Sequence, residues 1–437
     1  MIDVYSMNDF HGAVAENFNN NEPGLARIGT FFEDKKLANP DRTTILSSGD
    51  FWQGSADSNI TRGRLVGEGM NMIGFEAMAI GNHEFDWGAD VITSNAALSD
   101  FPFLGANIFD KRTGNLASFA EPYVLLEKQG VQVGVIGTIG SSLESSILAS
   151  AVMDYDFVPY TQIVNDHAQT LRNQGADIIV LINHDGQVES GVLPNVDAVF
   201  NGHTHRVESA IINQTPVMQA GAYGRAVAQV RFEYNLLSHS IVSSTMTMHQ
   251  NLTSLTPNTA LNELYQTYLV NEINIIKNEV VGIANGNFNT SILARLAVLE
   301  MLSFGLLYDA RVAFHNSGGV RASIASGTVT YGDIYRSFPF DNELMIVEVT
   351  GSELKTWLSY NLVSYGVLSN KTQFMDGSTI NNTQIYKIIS INYLTEKHWV
   401  SSDYPHNLET AINSFEYVRE LIKQAWLAYG TLNAVDY

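Results

Sequence analysis

The sequence predicts a two-domain α/β protein, and three observations carry the prediction. Its 437 residues are more than one ordinary core organises. The N-terminal half alternates β-branched apolar runs with helical periodicity, the pattern of layered sheets with helices outside. A second alternation restarts near residue 290, beyond a long stretch of helical spacing. Hydrophobic residues at 45% and charged residues at 16% make the chain globular and not disordered.

Asp3 to Met7 reads as the first strand, Leu25 to Leu37 as an amphipathic helix and Thr43 to Ser47 as the second strand. Val66 to Ile73 is helical, and Ala77 to Ile80 is a short apolar run before Gly81. Val131 to Ile139 reads as a buried strand. The helix Thr161 to Gln174 leads into the strand Asp177 to Asn183. Val196 to Phe200 and Val217 to Ala220 follow as strands, and Val227 to Tyr234 and Ile241 to Met248 close this part. From Thr256 to Val281, apolar residues such as Leu261, Leu264, Tyr268 and Ile276 recur as in one long connecting helix. Ile292 to Leu307 is a helix that opens the second unit. Ala310 to His315, Leu344 to Val349 and Ile385 to Tyr393 read as its strands, and Leu354 to Leu362 and Leu408 to Leu427 as its helices. The expected division is 1–255, a connecting helix at 256–282, and 283–437.

Lys and Arg number 24 against 45 Asp and Glu, a formal net charge of −21. Such a surface repels polyanions, which argues against nucleic-acid polymers and anionic membranes as partners. A small nucleotide stays open, if metals and a few arginines create a local positive field. With no cysteine, disulfides and Cys-rich zinc sites are excluded. Any metal is left to His, Asp, Asn and Glu, a donor set that suits Mn²⁺, Zn²⁺, Fe or Co²⁺. No apolar stretch reads as long enough to span a bilayer. The first strand begins at about Ile2, so the sequence itself is expected to carry no leader. Monomer and dimer are equally open.

Five polar clusters fall in order along the N-terminal half: Asp9-Phe10-His11, Gly49-Asp50, Gly81-Asn82-His83-Glu84, Asn183-His184-Asp185 and Gly202-His203-Thr204-His205. One Asp-x-His alone is weak, because lone histidines mostly sit on surfaces or in satisfied cores. Four of the five directly follow an apolar, β-branched run. Core packing gives no reason to put Asp, Asn and His where strands emerge, whereas ligands of open α/β sites belong there.

Asn8-Asp9-Phe10-His11-Gly12, Gly49-Asp50-Phe51-Trp52-Gln53-Gly54-Ser55, Gly81-Asn82-His83-Glu84-Phe85-Asp86 and Asn201-Gly202-His203-Thr204-His205 closely resemble the 5′-nucleotidase branch of the calcineurin-like metallophosphoesterases. The resemblance implies an N-terminal four-layer α/β/β/α sandwich with a second, smaller α/β substrate-binding domain. It implies two divalent ions. Asp9, His11, Asp50 and His205 would hold one ion; Asp50, Asn82, His184 and His203 the other, with Asp50 bridging. A bridging carboxylate screens two cations ~3.5–4 Å apart, which clamp the attacking and leaving oxygens. His83 would face the phosphate as a catalytic group oriented by Asp86, with Asn82 beside it. Asp86 also reads as a helix N-cap before Trp87 to Leu98. The fourth cluster departs from the usual Ser-His-x-Gly, with Asn183 and Asp185 around a retained His184.

The C-terminal half resembles the family's nucleotide-specificity domain through Asn316-Ser317-Gly318-Gly319-Val320-Arg321, Tyr331-Gly332-Asp333 and Phe338-Pro339-Phe340-Asp341-Asn342. Asn316, Gly319 and Arg321 would bind substrate, Arg321 through its bidentate guanidinium. Phe340 and Tyr393 match the two aromatics that sandwich a base. From pattern alone, Phe340 also reads as a core residue and Tyr393 as strand packing. After Tyr393 the usual Gly-Gly-Asp-Gly-Phe is replaced by Glu396-Lys397-His398-Trp399-Val400. The implied activity is metal-dependent hydrolysis of nucleotide phosphomonoesters, foremost nucleoside 5′-monophosphates. The alternatives are 2′,3′-cyclic nucleotides, nucleotide sugars or another small phosphate ester. A surface-binding protein with a silent metal site is the reading from another class, and intact His83 and Asp86 argue against it. The resemblance also implies export, to a secreted, periplasmic or cell-surface location, with a cytoplasmic one still open, and rotation between the domains.

Overall fold

A computed structural model describes residues 1–186, 193–401, 404–405 and 411–437. They form two compact units, Met1–Ile147 with Ala151–Ile273, and Leu148–Ser150 with Asn274–Tyr437.

The first unit holds two six-stranded sheets. One runs in the order Ser240–Gln250, Ala226–Asn235, Ile2–Met7, Thr43–Ser47, Ala77–Ala79 and Phe103–Leu104, with the last four strands parallel. The other runs Val207–Ile212, Thr215–Ala220, Ala198–Asn201, Ile178–His184, Val131–Ile139 and Tyr123–Lys128. Side-chain alternation along each strand then sorts residues to opposite faces. Val4, Leu46, Ala79, Val133, Val180 and Ile182 share one core between the sheets. Their neighbours Tyr5, Ile45 and Met78 turn outward onto Leu25, Phe32, Val66 and Met70 of two helices. On the far side Ile179 and Leu181 turn onto Val164, Ala168 and Leu171 of the helix Thr161–Asn173. The unit is therefore the four-layer α/β/β/α sandwich.

The second unit has a five-stranded sheet, in the order Val363–Tyr365, Ala310–His315, Ile385–Ile391, Glu343–Thr350 and Ile412–Tyr417. The helix Thr290–Gly305 packs on it, burying Leu293, Leu296, Ala297, Val298 and Met301. By length and composition Thr290–Tyr308 also passes for a membrane span, against the sequence expectation; its buried face is that of a core helix. A three-stranded sheet of Gly327–Thr330, Val280–Asn285 and Thr431–Asn433 completes the unit.

Three elements differ from the sequence reading. The helical stretch expected over 256–282 runs Thr259–Tyr268, passes through a π-turn at Leu269–Ile273 and ends at Lys277. Val280–Asn285 is instead a strand, as its Val-Val-Gly-Ile composition favours, paired on both sides. Ile412–Tyr417, expected to be helical, pairs with Glu343–Thr350, and the helix there is Val418–Tyr429; residues 408–410 of that expectation lie outside the described residues. Tyr393, placed at a strand end, belongs to the helix Asn392–His398. The Asn392 side chain accepts the Tyr393 N–H at 2.9 Å, and no glycine interrupts the turn that follows.

Candidate metal centre

All five clusters converge in the first unit. Asp9, Asp50 and Asn82 lie just beyond three adjacent parallel strands of one sheet. His184 ends a strand of the other sheet, and His203 and His205 follow its parallel neighbour. The loops are zipped together: Asp9 N–H donates to Gly49 O at 2.9 Å, and His11 N–H to Asp50 O at 3.0 Å.

The local backbone is strained. Asp9, His11, Asp50, His203 and His205 all have φ between 49° and 73°. Each such non-glycine residue costs ~1–3 kcal/mol and persists only where its surroundings fix it. Gly81 is required by close approach: a Cβ there would run into the Asp50 carboxylate.

The donor atoms form three groups, Asp9–His11–His205, His11–Asp50–His83 and Asp50–His184–His203, each within 4.8 Å. Asp9 Oδ1 is 3.4 Å from His205 Nε2, and the Nε2 atoms of His11 and His205 are 3.0 Å apart. Asp50 Oδ2 is 3.1 Å from His184 Nε2, and Asn82 Oδ1 reaches His184 Nε2 at 3.2 Å and His203 Nδ1 at 3.1 Å. The remaining ring nitrogens are tied back. His11 Nδ1 lies 2.9 Å from Gln53 O and His184 Nδ1 2.7 Å from Ser48 O, so each ring donates to a carbonyl and aims Nε2 inward. Asn8 accepts from Ala220 N–H and donates to Asp9 Oδ2 and Gly221 O, which fixes the Asp9 carboxylate. This convergence of imidazole and carboxylate donors fits a divalent ion.

The electrostatics agree. Burial pushes His11 down to about 4, against the pull of Asp50, so its ring is neutral at pH 7. Burial also acts to lower His184, but the Asp50 carboxylate outweighs it and raises the ring to about 10. Burial would raise the Asp50 carboxyl, and the His184 imidazole overrides it and holds it far below the ordinary range.

His83 stands apart through its hydrogen bond. Its Nδ1 is 2.7 Å from Asp86 Oδ2, and its ring centroid is 5.3 Å from that of His11. Asp86 is no helix cap: it lies in the 3₁₀ turn His83–Trp87, and the helix Ala89–Leu98 is capped by Gly88. His83 also falls within ligand distance of His11 and Asp50, a position the sequence did not reveal.

Two further residues shape the centre. Tyr223, at φ 57°, donates its N–H to Asp9 O at 2.8 Å and packs its ring 5.5 Å from His11 and 5.7 Å from His205. An aromatic between Gly221 and Gly224, just past a strand parallel to Ala198–Asn201, was its available signal. Glu84, 0% exposed, accepts three backbone N–H groups. Burial first, then the Asp50 charge, push it up to about 7.

In the second unit, Asn316 and Gly319 sit on the 3₁₀ turn Ser317–Gly319 after the strand Ala310–His315. Arg321 is exposed and lies 5.2 Å over the half-buried Phe340 ring. Arg419 Nη1 donates to Phe340 O at 3.0 Å, and its Nη2 pairs with Asp341. Tyr393 is half-buried, with Lys397 Nζ 5.5 Å over its ring.

Residues 3–207, which include every candidate ligand from Asp9 to His205, match the family model of the calcineurin-like phosphoesterases. Residues 286–373 match that of the 5′-nucleotidase C-terminal domain, a span that holds Asn316 to Phe340 and stops short of Tyr393. Endonuclease YhcR of Bacillus subtilis is 27% identical over 80% of this chain, which spans 32% of that relative's length. Protein UshA of Yersinia enterocolitica is 25% identical over 100% of this chain and 92% of its own. A solved 5′-nucleotidase precursor from Thermus thermophilus has the same fold, with a TM-score of 0.80 at 19% identity over 99% of this chain and 97% of that one. With both family models met in order, and the sandwich and its five loop clusters in place, the chain belongs to the 5′-nucleotidase family of calcineurin-like phosphoesterases.

Proposed function

We propose that the protein hydrolyses nucleotide phosphomonoesters, foremost nucleoside 5′-monophosphates, by attack of water on phosphorus and release of nucleoside and phosphate. The observation that carries this reading is the convergence of Asp, Asn and His side chains, five of them on backbone at positive φ and most of them buried though His205 is exposed, with His83 and Asp86 beside them. Asp9, His11, Asp50 and His205 hold one divalent ion, and Asp50, Asn82, His184 and His203 the other, with Mn²⁺, Zn²⁺, Fe and Co²⁺ as the candidates. Bound there, the ions supply Lewis acidity to the phosphoryl oxygens and ease ionisation of the attacking water. Asp86 fixes His83 through Nδ1, and the ring in its protonated form gives its Nε2 proton to the departing ester oxygen. Arg321, Asn316 and Gly319 anchor the substrate, and Phe340 and Tyr393 face its base. The likeness to relatives such as protein UshA and cell wall protein Lmo0130 supports an exported protein over a cytoplasmic one.

The test is phosphate release from mononucleotides, 2′,3′-cyclic nucleotides and nucleotide sugars, before and after chelation. Turnover should vanish with chelator, return with Mn²⁺ or Co²⁺, and be greatest on mononucleotides. A cyclic nucleotide or nucleotide sugar turned over faster would replace the substrate. No metal-dependent turnover on any member would overturn the reading, leaving the silent surface-binding alternative.

A further inference from the structure

We infer that Glu84 is a positioning residue that presets Asp50 and the Asn82 turn for two-metal binding, an inference that rests on the two-ion reading above. Its carboxylate is 0% exposed and touches no candidate ligand side chain in the hydrogen bonds it makes. Oε2 accepts from Asp50 N–H and Gly81 N–H, and Oε1 from Phe51 N–H, all at 2.8 Å. The link is reciprocal, because Asp50 Oδ1 accepts the His83 N–H at 2.8 Å. Three of these backbone donors, Asp50, Phe51 and His83, lock two loops from adjacent strands face to face, and the fourth, Gly81, closes the Asn82 turn on itself. Asp50 most needs this lock. It stands at φ 57°, where a non-glycine residue relaxes unless held, and its carboxylate is the one carboxylate common to two of the three donor groups. One carboxyl group that accepts three N–H groups at once ties such a turn at more points than a single-acceptor contact could. Glu84 thus acts on the ions through Asp50 and Asn82, as outer partners act on ligands.

Glu84→Gln keeps the size of the side chain but turns one acceptor into a donor. Whichever way the amide points, at least one of the three N–H groups loses its partner. Mn²⁺ binding measured by calorimetry should weaken about 10- to 100-fold in this variant. Excess Mn²⁺ should restore kcat toward the wild-type value, with KM for the nucleotide little changed. A Glu84→Gln protein that loses thermal stability yet binds Mn²⁺ with wild-type affinity would overturn the inference and reduce Glu84 to a packing role. Amide hydrogen exchange of the metal-free wild-type protein provides a test without a variant. The Asp50, Phe51 and Gly81 amides should be protected before any ion is added, and fast exchange there would overturn the preset. If the wild-type protein itself bound no Mn²⁺, the two-ion reading would fail first, and this inference with it.

Discussion

At the metal centre, Asp9, Asp50 and His184 are at most 1% exposed and their loops are pinned by buried backbone bonds, whereas in the C-terminal unit Arg321 is exposed and Phe340 and Tyr393 are half-buried. Five candidate ligands sit at positive φ, while Asn316, with φ −85° and ψ 139°, is ordinary extended backbone. On the proposed function, the contrast follows from what each site would have to do. Bringing Asp50 and six other side chains from five loops to within a few ångströms needs strained turns, close glycines and buried clamps. Stacking a base needs a flat ring on a loop, and many backbones supply one.

The largest expected effect separates holding an ion from using it. His83→Ala should leave the Mn²⁺ content of the purified protein unchanged and lower kcat by about 10²- to 10⁴-fold. Asp86→Asn should fall between, since it keeps a partner for Nδ1 but not its charge. Metal analysis beside single-turnover phosphate release gives both quantities. Loss of metal from His83→Ala would make His83 a ligand, which its distance to His11 and Asp50 allows. Unchanged turnover would remove it from the chemistry.

The same contrast explains how much the sequence made legible. The convergence of the five clusters could be read because their residue types have no purpose in a core and their spacing follows strand ends. The sandwich could be read because Val4 against Tyr5, and Val180 against Ile179, alternate between two cores. Glu84 could not, since a glutamate beside a ligand says nothing of the backbone it caps until Asp50 and Phe51 are folded against it. Tyr393 was misplaced for a similar reason: β-branched residues through Ile391 imply a strand, and the local bond from Asn392 that starts the helix is invisible to periodicity. The first residues of the strand Val280–Asn285, Val280 to Gly282, were absorbed into the helix because their apolar spacing continues the preceding one, and only the strand's pairing partners decide the matter.

A smaller effect probes the C-terminal unit through acid. His315 is fully buried; its Nδ1 lies 2.7 Å from Asn316 O, and its Nε2 has no hydrogen-bond partner. Burial holds it at about 4, below the ordinary 6.5. The folded state therefore resists protonation more than the unfolded chain does. Its stabilising share is complete above pH 6.5, declines as pH falls toward 4, and is gone below that. The difference is worth roughly 3 kcal/mol. His315→Asn keeps a donor for Asn316 O and removes the titration. Thermal unfolding at pH 7 and pH 4 should show a smaller acid loss in the variant than in the wild type. An equal loss would place the acid sensitivity elsewhere.

The smallest effect tests whether the half-buried Phe340 ring is a binding surface at all. Phe340 is held at its carbonyl by Arg419, a contact that survives removal of the side chain, while its ring packs under Arg321, a contact that does not. Stacking on one base contributes ~1–3 kcal/mol, so Phe340→Ala should raise KM for a nucleoside 5′-monophosphate about 5- to 150-fold with kcat little altered. Ribose 5-phosphate, which carries the ester and no base, should show no such change. Phe340→Tyr keeps the ring and should behave as wild type. A rise in KM for both substrates would mean that Arg321 had lost its place over the ring and that the ring's role is to orient the guanidinium. No rise for either would make Phe340 a packing residue, and the C-terminal unit would then have to recognise its ligand by something other than a stacked base.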